Sequence, residues 1–374
     1  MKILICPDKF KGSLSAADVC AAIKAGMESV GKEHEIITIP MADGGEGSLE
    51  IIEHYLDVQK RMISTIDPLG RNIQAPFAIC GEKAFIDSSQ IIGLQLLTPE
   101  ERNPMHTGTY GLGTMIMEAI RADCKEIHIF TGGSATNDGG TGMASALGYI
   151  FFGTKGPLTK ISGKTLPEIT RVDPPYIHPI PVNVHCICYA DVRHVMYGIH
   201  GAALNFSVQK GANLYEALIL DKGLRKLSGI FLRDLKVNIG LTPGSGAAGA
   251  LTAGCKAFLN ADIKSGIRFF MDLTHLEEKI KTADLIITGE GRTDQQSLKG
   301  KVVSGVASLC CKHHKPMILV VGQNRLSARE LKQMYCHKLY TLQKKGLSVS
   351  FSMTHANDLL YEIGRNIIFN MDKR

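Results

Sequence analysis

Five stretches of the chain set acids, lysines or an arginine inside glycine loops. They are Asp8-Lys9 with Lys11-Gly12-Ser13, Asp43 with Glu46, Ser134 with Asn137-Asp138, Lys210-Gly211, and Glu290 with Arg292 and Asp294. Acids and amide oxygens suit Mg2+, which prefers oxygen ligands and keeps several of its waters. Lysine, arginine and loop N–H groups suit phosphate. Together these are the needs of phosphoryl transfer: positioning, charge neutralisation and a base near a hydroxyl. For any one acid a capping or turn role stands beside the functional one. Recurrence over five loops makes a phosphotransferase the leading class.

Other chemistries find less support. Gly244-Ser245-Gly246-Ala247-Ala248-Gly249 matches GxGxxG, but the strand that should precede it is short and interrupted by Asn238, Gly240 and Pro243. Asp272 lies at about the right distance for the ribose acid, yet inside an amphipathic pattern. A nicotinamide-dependent dehydrogenase is therefore the weaker reading, and a helix start near a phosphate, or close helix packing, the stronger. Gly163-Lys164-Thr165 has the tail of a Walker loop without its first glycine, since Leu158 stands there. No GxSxG elbow, HExxH pair or CxxC occurs.

The elements that position these loops follow from apolar periodicity. Residues 127–130 read as a buried strand, 132–140 as a glycine loop, and Met143, Ala146 and Leu147 as a helix. A strand, a glycine loop and a helix start gather N–H groups at one point, which suits an anion, although a plain tight turn explains a single such loop equally well. At the N-terminus a strand over 2–6 precedes a helix capped by Ser13 or Ser15, with Val19, Ile23, Met27 and Val30 as its stripe. A second strand over 36–39 runs into Asp43–Glu46 and a short helix. From about residue 67 turn signals separate short strands over 75–80 and 83–86. Helices over 112–122, 214–235, 246–259 and 263–280, a strand over 184–190 and a proline-rich run over 167–181 make up the middle. Alternation returns with strands at 285–287, 317–321 and 339–342 and helices at 302–313, from Ser327 and at 357–371. Both ends read alike, so the expectation is two α/β domains: a Rossmann-like discontinuous domain of residues 1–66 and 282–374, and an inserted mixed α/β domain of 67–281. In open parallel sheets ligands bind at the carboxyl edge, where these loops lie.

At 374 residues the chain exceeds one comfortable core. Its 44% hydrophobic and 21% charged residues belong to an ordinary globular protein. A net charge of +6 is small, and the basic residues are dispersed without aromatic interleaving, which argues against nucleic acid and fits small anions. The absence of a signal-like or membrane-spanning stretch, with scattered cysteines, leads to the expectation of a cytoplasmic protein.

The stretches Pro7-Asp8-Lys9-Phe10-Lys11-Gly12-Ser13-Leu14-Ser15-Ala16, Ala42-Asp43-Gly44-Gly45-Glu46-Gly47 and Gly132-Gly133-Ser134-Ala135-Thr136-Asn137-Asp138-Gly139-Gly140 resemble the type I glycerate kinase family, the bacterial glycerate 2-kinases. So do Gln209-Lys210-Gly211-Ala212, residues 243–249 and Ile287-Thr288-Gly289-Glu290-Gly291-Arg292, all in the family's order. The resemblance implies ATP-dependent phosphorylation of D-glycerate at O2, with Mg2+, in a site between two α/β domains. On that basis Asp191, after the buried-looking run 187–190, is the expected base toward the hydroxyl. Lys11, Lys210 and Arg292 would clamp carboxylate and phosphates, with Asp8, Lys9, Ser13, Gly244 and Gly246 on the substrate or phosphate side. Asp43, Glu46, Glu290 and Asp294 would hold Mg2+, and Ser134, Asn137 and Asp138 would line the glycine loop.

The chain also departs from the pattern. Thr109-Tyr110-Gly111-Leu112-Gly113 stands where the family usually has Ser-Arg-Gly-Thr-Gly, and Asp191-Val192-Arg193-His194 where it has Asp-Val-x-Asn. Ser88-Ser89-Gln90-Ile91-Ile92-Gly93 replaces a more alanine-rich stretch. An arginine is a natural carboxylate clamp. The alternative is a divergent paralogue acting on another small hydroxy acid, or a non-catalytic metabolite-binding protein of the same fold.

Overall fold

A computed structural model describes residues 1–371 except 32, 177–179, 299 and 344–345, so part of the proline-rich run over 167–181 and the last three residues lie outside the described residues. The chain forms two compact α/β units, one of Met1–Asp43 with Ile267–Arg374 and the other of Gly44–Gly266.

The first unit is built on a parallel sheet in the order Cys336–Thr341, Met317–Asn324, Leu285–Thr293, Lys2–Ile5, Glu35–Thr38. The central strands carry apolar runs over 3–5, 285–287 and 317–321, as burial on both faces of a parallel sheet requires. Lys2–Ile5 pairs with Glu35–Thr38 on one side and with Leu285–Thr293 on the other, Ile3 opposite Ile36 and Leu285. On one face lie helices Ala16–Glu28 and Ala356–Met371. Ser15 caps the first, its Oγ accepting from the Asp18 N–H. The two helices touch through Gly26 and Gly364: a Cβ on Gly26 would stand 1.9 Å from the Tyr361 carbonyl oxygen, and one on Gly364 2.2 Å from that of Ile23.

The second unit carries a six-stranded sheet in the order Asp262–Lys264, His185–Tyr189, Glu126–Phe130, Lys83–Asp87, Asn72–Cys80, Gln59–Ile66. The first four strands run parallel, and the last two add antiparallel pairs. Its core joins that sheet to helices Tyr110–Arg121, Leu214–Leu235 and Ala247–Leu259. An Asn213–Glu216 capping box starts the long helix. Among the described residues no helix is long and apolar enough to cross a membrane.

Two local readings change. Gln59–Ile66 is a strand that the sequence reading does not include: its polar residues sit on an exposed sheet edge, which hides the apolar signal. This strand joins the second unit, so the units divide after residues 43 and 266 rather than after 66 and 281. The single helix expected over 263–280 is a short strand, Asp262–Lys264, followed by helices Gly266–Leu273 and Leu276–Thr282. His275, at φ 49°, breaks the helical path between them.

Because Gly26 meets backbone rather than a flexible side chain, Gly26→Val should force the two helices apart. We expect a loss of about 2–3 kcal/mol in urea-unfolding stability; a loss below about 0.5 kcal/mol would show the crossing to be loose.

Candidate functional site

In the first unit, parallel pairing gathers acids at one sheet edge. The Asp8 N–H donates to the Gly289 carbonyl at 2.9 Å, and the Met41 N–H donates to that of Pro7 at 3.0 Å. The segments leaving Lys2–Ile5 and Glu35–Thr38 carry Asp8 and Asp43, and the later part of the strand between Lys2–Ile5 and Met317–Asn324 carries Glu290. Burial first, then the Asp43 charge, pushes the half-buried Asp8 carboxyl well above its ordinary range, with Glu290 adding to the shift. Burial likewise raises Glu290 to about 7, against the opposing pull of Lys301 and of a hydrogen bond from Ser297. Glu290 is 6% exposed, and among the described residues its Oε1 has no hydrogen-bond partner. Asp294 also contributes repulsion at Glu290, and its Oδ2 lies 3.7 Å from the Arg292 Nε.

Such crowding costs free energy that a cation would relieve, so these acids fit Mg2+. Among the described residues no three His, Cys, Asp or Glu side chains are spaced to hold a metal unaided. Asp8, expected on the phosphate side, sits instead among the acids, where like charge opposes phosphate. Ser13 is likewise a tether: its Oγ donates to the Met353 carbonyl at 2.6 Å. Lys9 is half-buried and its N–H donates to Asp8 Oδ1, while Lys11 and Arg292 are exposed.

In the second unit the glycine loop follows the strand Glu126–Phe130. It is zipped to the segment after Lys83–Asp87: the Leu94 N–H donates to the Gly133 carbonyl at 3.0 Å and the Ala135 N–H to that of Ile92 at 2.7 Å. Glu46 belongs to this unit and packs beside Gly133. Asp138 is fully buried, and its carboxylate accepts from the Thr109 N–H and Oγ1 and from the N–H groups of Gly140 and Gly142, at 2.8–3.1 Å. Burial pushes this carboxyl up while those bonds pull it down. Its oxygens join the starts of helices Tyr110–Arg121 and Thr141–Ala146 and hold the loop rather than face a ligand.

Lys210 is 4% exposed and performs the same service. Its Nζ donates to the Thr136 carbonyl at 2.7 Å and to Ser134 Oγ at 3.1 Å. Burial lowers it to about 7, partly offset by Asp138. Between these two anchors, Asn137 is fully buried, and among the described residues neither its Oδ1 nor its Nδ2 has a hydrogen-bond partner. A buried amide unpaired at both ends costs several kcal/mol unless something else completes it.

The 244–249 run serves packing. The N–H groups of Gly244 and Gly246 both donate to the His194 carbonyl, at 3.1 and 2.9 Å, so these glycines do not cradle phosphate. No strand precedes them, which removes the dinucleotide setting. Ala248, Gly249 and Ala250 have φ of 53°, 70° and 65°, a left-handed turn that presses on the Asn137 backbone. A Cβ on Gly249 would lie 2.1 Å from the Thr136 carbonyl oxygen. Asp191 leaves the end of His185–Tyr189 half-buried, and its Oδ1 accepts from Ser265 Oγ at 2.5 Å at the end of the paired strand.

Sequence reasoning missed Asp87 and Thr109. Asp87, fully buried, accepts from the Gly47 N–H at 3.1 Å and from the Ser89 N–H and Oγ at 3.0 and 2.6 Å. It is an acid at a strand end, the same signal that singled out Asp191.

The glycerate kinase family profile matches residues 3–372. The chain is 35% identical to a glycerate kinase of Halalkalibacterium halodurans, over 98% of this chain and 97% of that one. It is 38% identical to the glycerate 2-kinase of Escherichia coli, over 86% of this chain and 85% of that one. A crystal structure described as glycerate kinase 2 of Salmonella typhimurium LT2 superposes with a TM-score of 0.80 at 32% identity, covering 100% of this chain and 98% of that one.

Because folding lowers the Lys210 pKa from 10.5 to about 7, the unfolded chain binds one more proton between those values. Stability therefore falls as pH drops through that window and levels out below about 7. Urea unfolding at pH 7, 8.5 and 10 should show the wild type gaining stability relative to Lys210→Met as pH rises. Parallel curves would mean that the lysine is not held neutral.

Proposed function

The chain belongs to the glycerate kinase family, and on that premise we propose that it transfers the terminal phosphoryl group of ATP to the 2-hydroxyl of D-glycerate, giving 2-phosphoglycerate and ADP in the cytoplasm, with Mg2+ as the activating ion. The observation that carries this reading is the gathering of Asp8, Asp43 and Glu290 at one sheet edge, where Glu290 is buried and its Oε1 has no hydrogen-bond partner among the described residues. Those acids, with Asp294, would hold Mg2+. When bound, the ion supplies charge neutralisation to the phosphate oxygens. Lys11 and Arg292, both exposed, clamp phosphate or carboxylate.

Asp191 accepts the proton of the attacking hydroxyl, and Ser265 holds it by donating to its Oδ1. Asn137 donates and accepts toward the acid from a loop that Asp138 and Lys210 hold still. A second reading, another small hydroxy acid as acceptor, draws on Tyr110, which is 45% exposed where the family's arginine would stand.

A coupled ADP-release assay over a panel of small hydroxy acids, with 31P NMR of the product, tests the reaction. D-glycerate should give the highest kcat/KM and a 2-phosphate. Folded protein that binds ATP yet turns over none of the acids would leave only a metabolite-binding role. Asp191→Asn should lower kcat by about 100- to 10,000-fold, the usual span for a general base, with ATP affinity held within about twofold. Near-normal turnover would remove Asp191 as the base.

A further inference from the structure

We propose that Ser88 is a specificity contact for the acid substrate, recognising a neutral hydroxyl rather than the carboxylate; this rests on the kinase reading above. Ser88 follows the strand Lys83–Asp87 at the carboxyl edge of the second unit's sheet. It is fully buried, and among the described residues its Oγ has no hydrogen-bond partner. It is the N-cap residue of the short helix Ser89–Ile92 but does not use its hydroxyl as a cap. Its backbone is satisfied: the N–H donates to the Phe130 carbonyl at 2.9 Å, and its carbonyl accepts from Ile91 and Ile92. The side chain alone is left over.

The neighbouring Ser89 shows what a structural serine does here, since its hydroxyl donates to Asp87. Ser88 makes no such bond. A buried hydroxyl without a partner is unfavourable by roughly 1–3 kcal/mol. Its segment is zipped to the glycine loop, Gly93 bridging Ser134, and that loop presents the equally unpartnered Asn137 and Thr136 Oγ1. Ser, Thr and Asn are neutral groups that donate and accept at once, which is the pattern a hydroxyl needs. A carboxylate would instead call for charged donors. Glycerate has such a group in its terminal hydroxyl, and lactate lacks it.

The experiment compares wild type with Ser88→Ala in steady-state kinetics on D-glycerate, with lactate as a competitive inhibitor. Expected are about a tenfold loss of kcat/KM for glycerate, an unchanged inhibition constant for lactate, and a melting temperature equal to or above the wild type's. Loss of glycerate and lactate affinity together would place Ser88 on the carboxylate and overturn the inference. So would unchanged kinetics with a lowered melting temperature, the mark of a hydroxyl completed by a buried water. Ser88→Cys, similar in size but a weak hydrogen-bonding partner, should copy the alanine variant; kinetics like the wild type's would also overturn it. Wild-type turnover in the same assay tests the kinase reading separately.

Discussion

Parallel pairing of one short strand with two neighbours is the constraint on which the acid edge depends. Lys2–Ile5 is held between Glu35–Thr38 and Leu285–Thr293, all running the same way. Their carboxyl ends therefore open side by side, and the acids at or just beyond those ends cannot be kept apart. Repulsion between Asp8, Asp43 and Glu290 is a consequence of strand order, which the apolar pairing of Ile3, Leu4 and Ile5 is strong enough to impose. A site that binds a cation and phosphate needs such unrelieved charge before the ligand arrives.

The second unit solves the opposite problem. Its glycine loop must hold still although glycine contributes no side chain. Asp138 and Lys210, the two residues most like ligands by type, are the ones that restrain it, through at least six hydrogen bonds to the loop and its neighbours. The left-handed turn at Ala248–Ala250 adds pressure from below, at a cost of about 1–2 kcal/mol for each alanine forced to positive φ. What these restraints leave without a hydrogen-bond partner among the described residues is the buried, neutral side chain of Asn137. Rigidity is supplied by the hydrogen bonds of two buried ionisable groups, and recognition by neutral ones.

Much of the fold was legible in the chain. Apolar runs marked the strands at 2–5, 126–130, 285–287 and 317–321, and the Ser15 and Ser327 caps marked two helix starts. Gln59–Ile66 was not, because an edge strand with an exposed polar face has no apolar period to read. The break at Thr274–His275 was hidden for the opposite reason: the apolar stripe continues across it. In the site, the right loops were found, but residue type misdirected the roles. Asp8 went to phosphate and Lys210 to the substrate because charge suggested contact, whereas burial and hydrogen bonding decide what a charge is free to do.

The sequence by itself determined the family, the α/β class and the loops that carry chemistry, because glycine, strand-end acids and apolar periodicity are local properties. Only the tertiary structure decided which of those side chains are already bonded within the protein. Asp138, Lys210 and Ser13 have partners up to 340 residues away along the chain, while Asn137, Ser88 and one oxygen of Glu290 have none among the described residues. That division depends on which groups folding brings within hydrogen-bond distance, and spacing along a chain does not encode distance across a sheet.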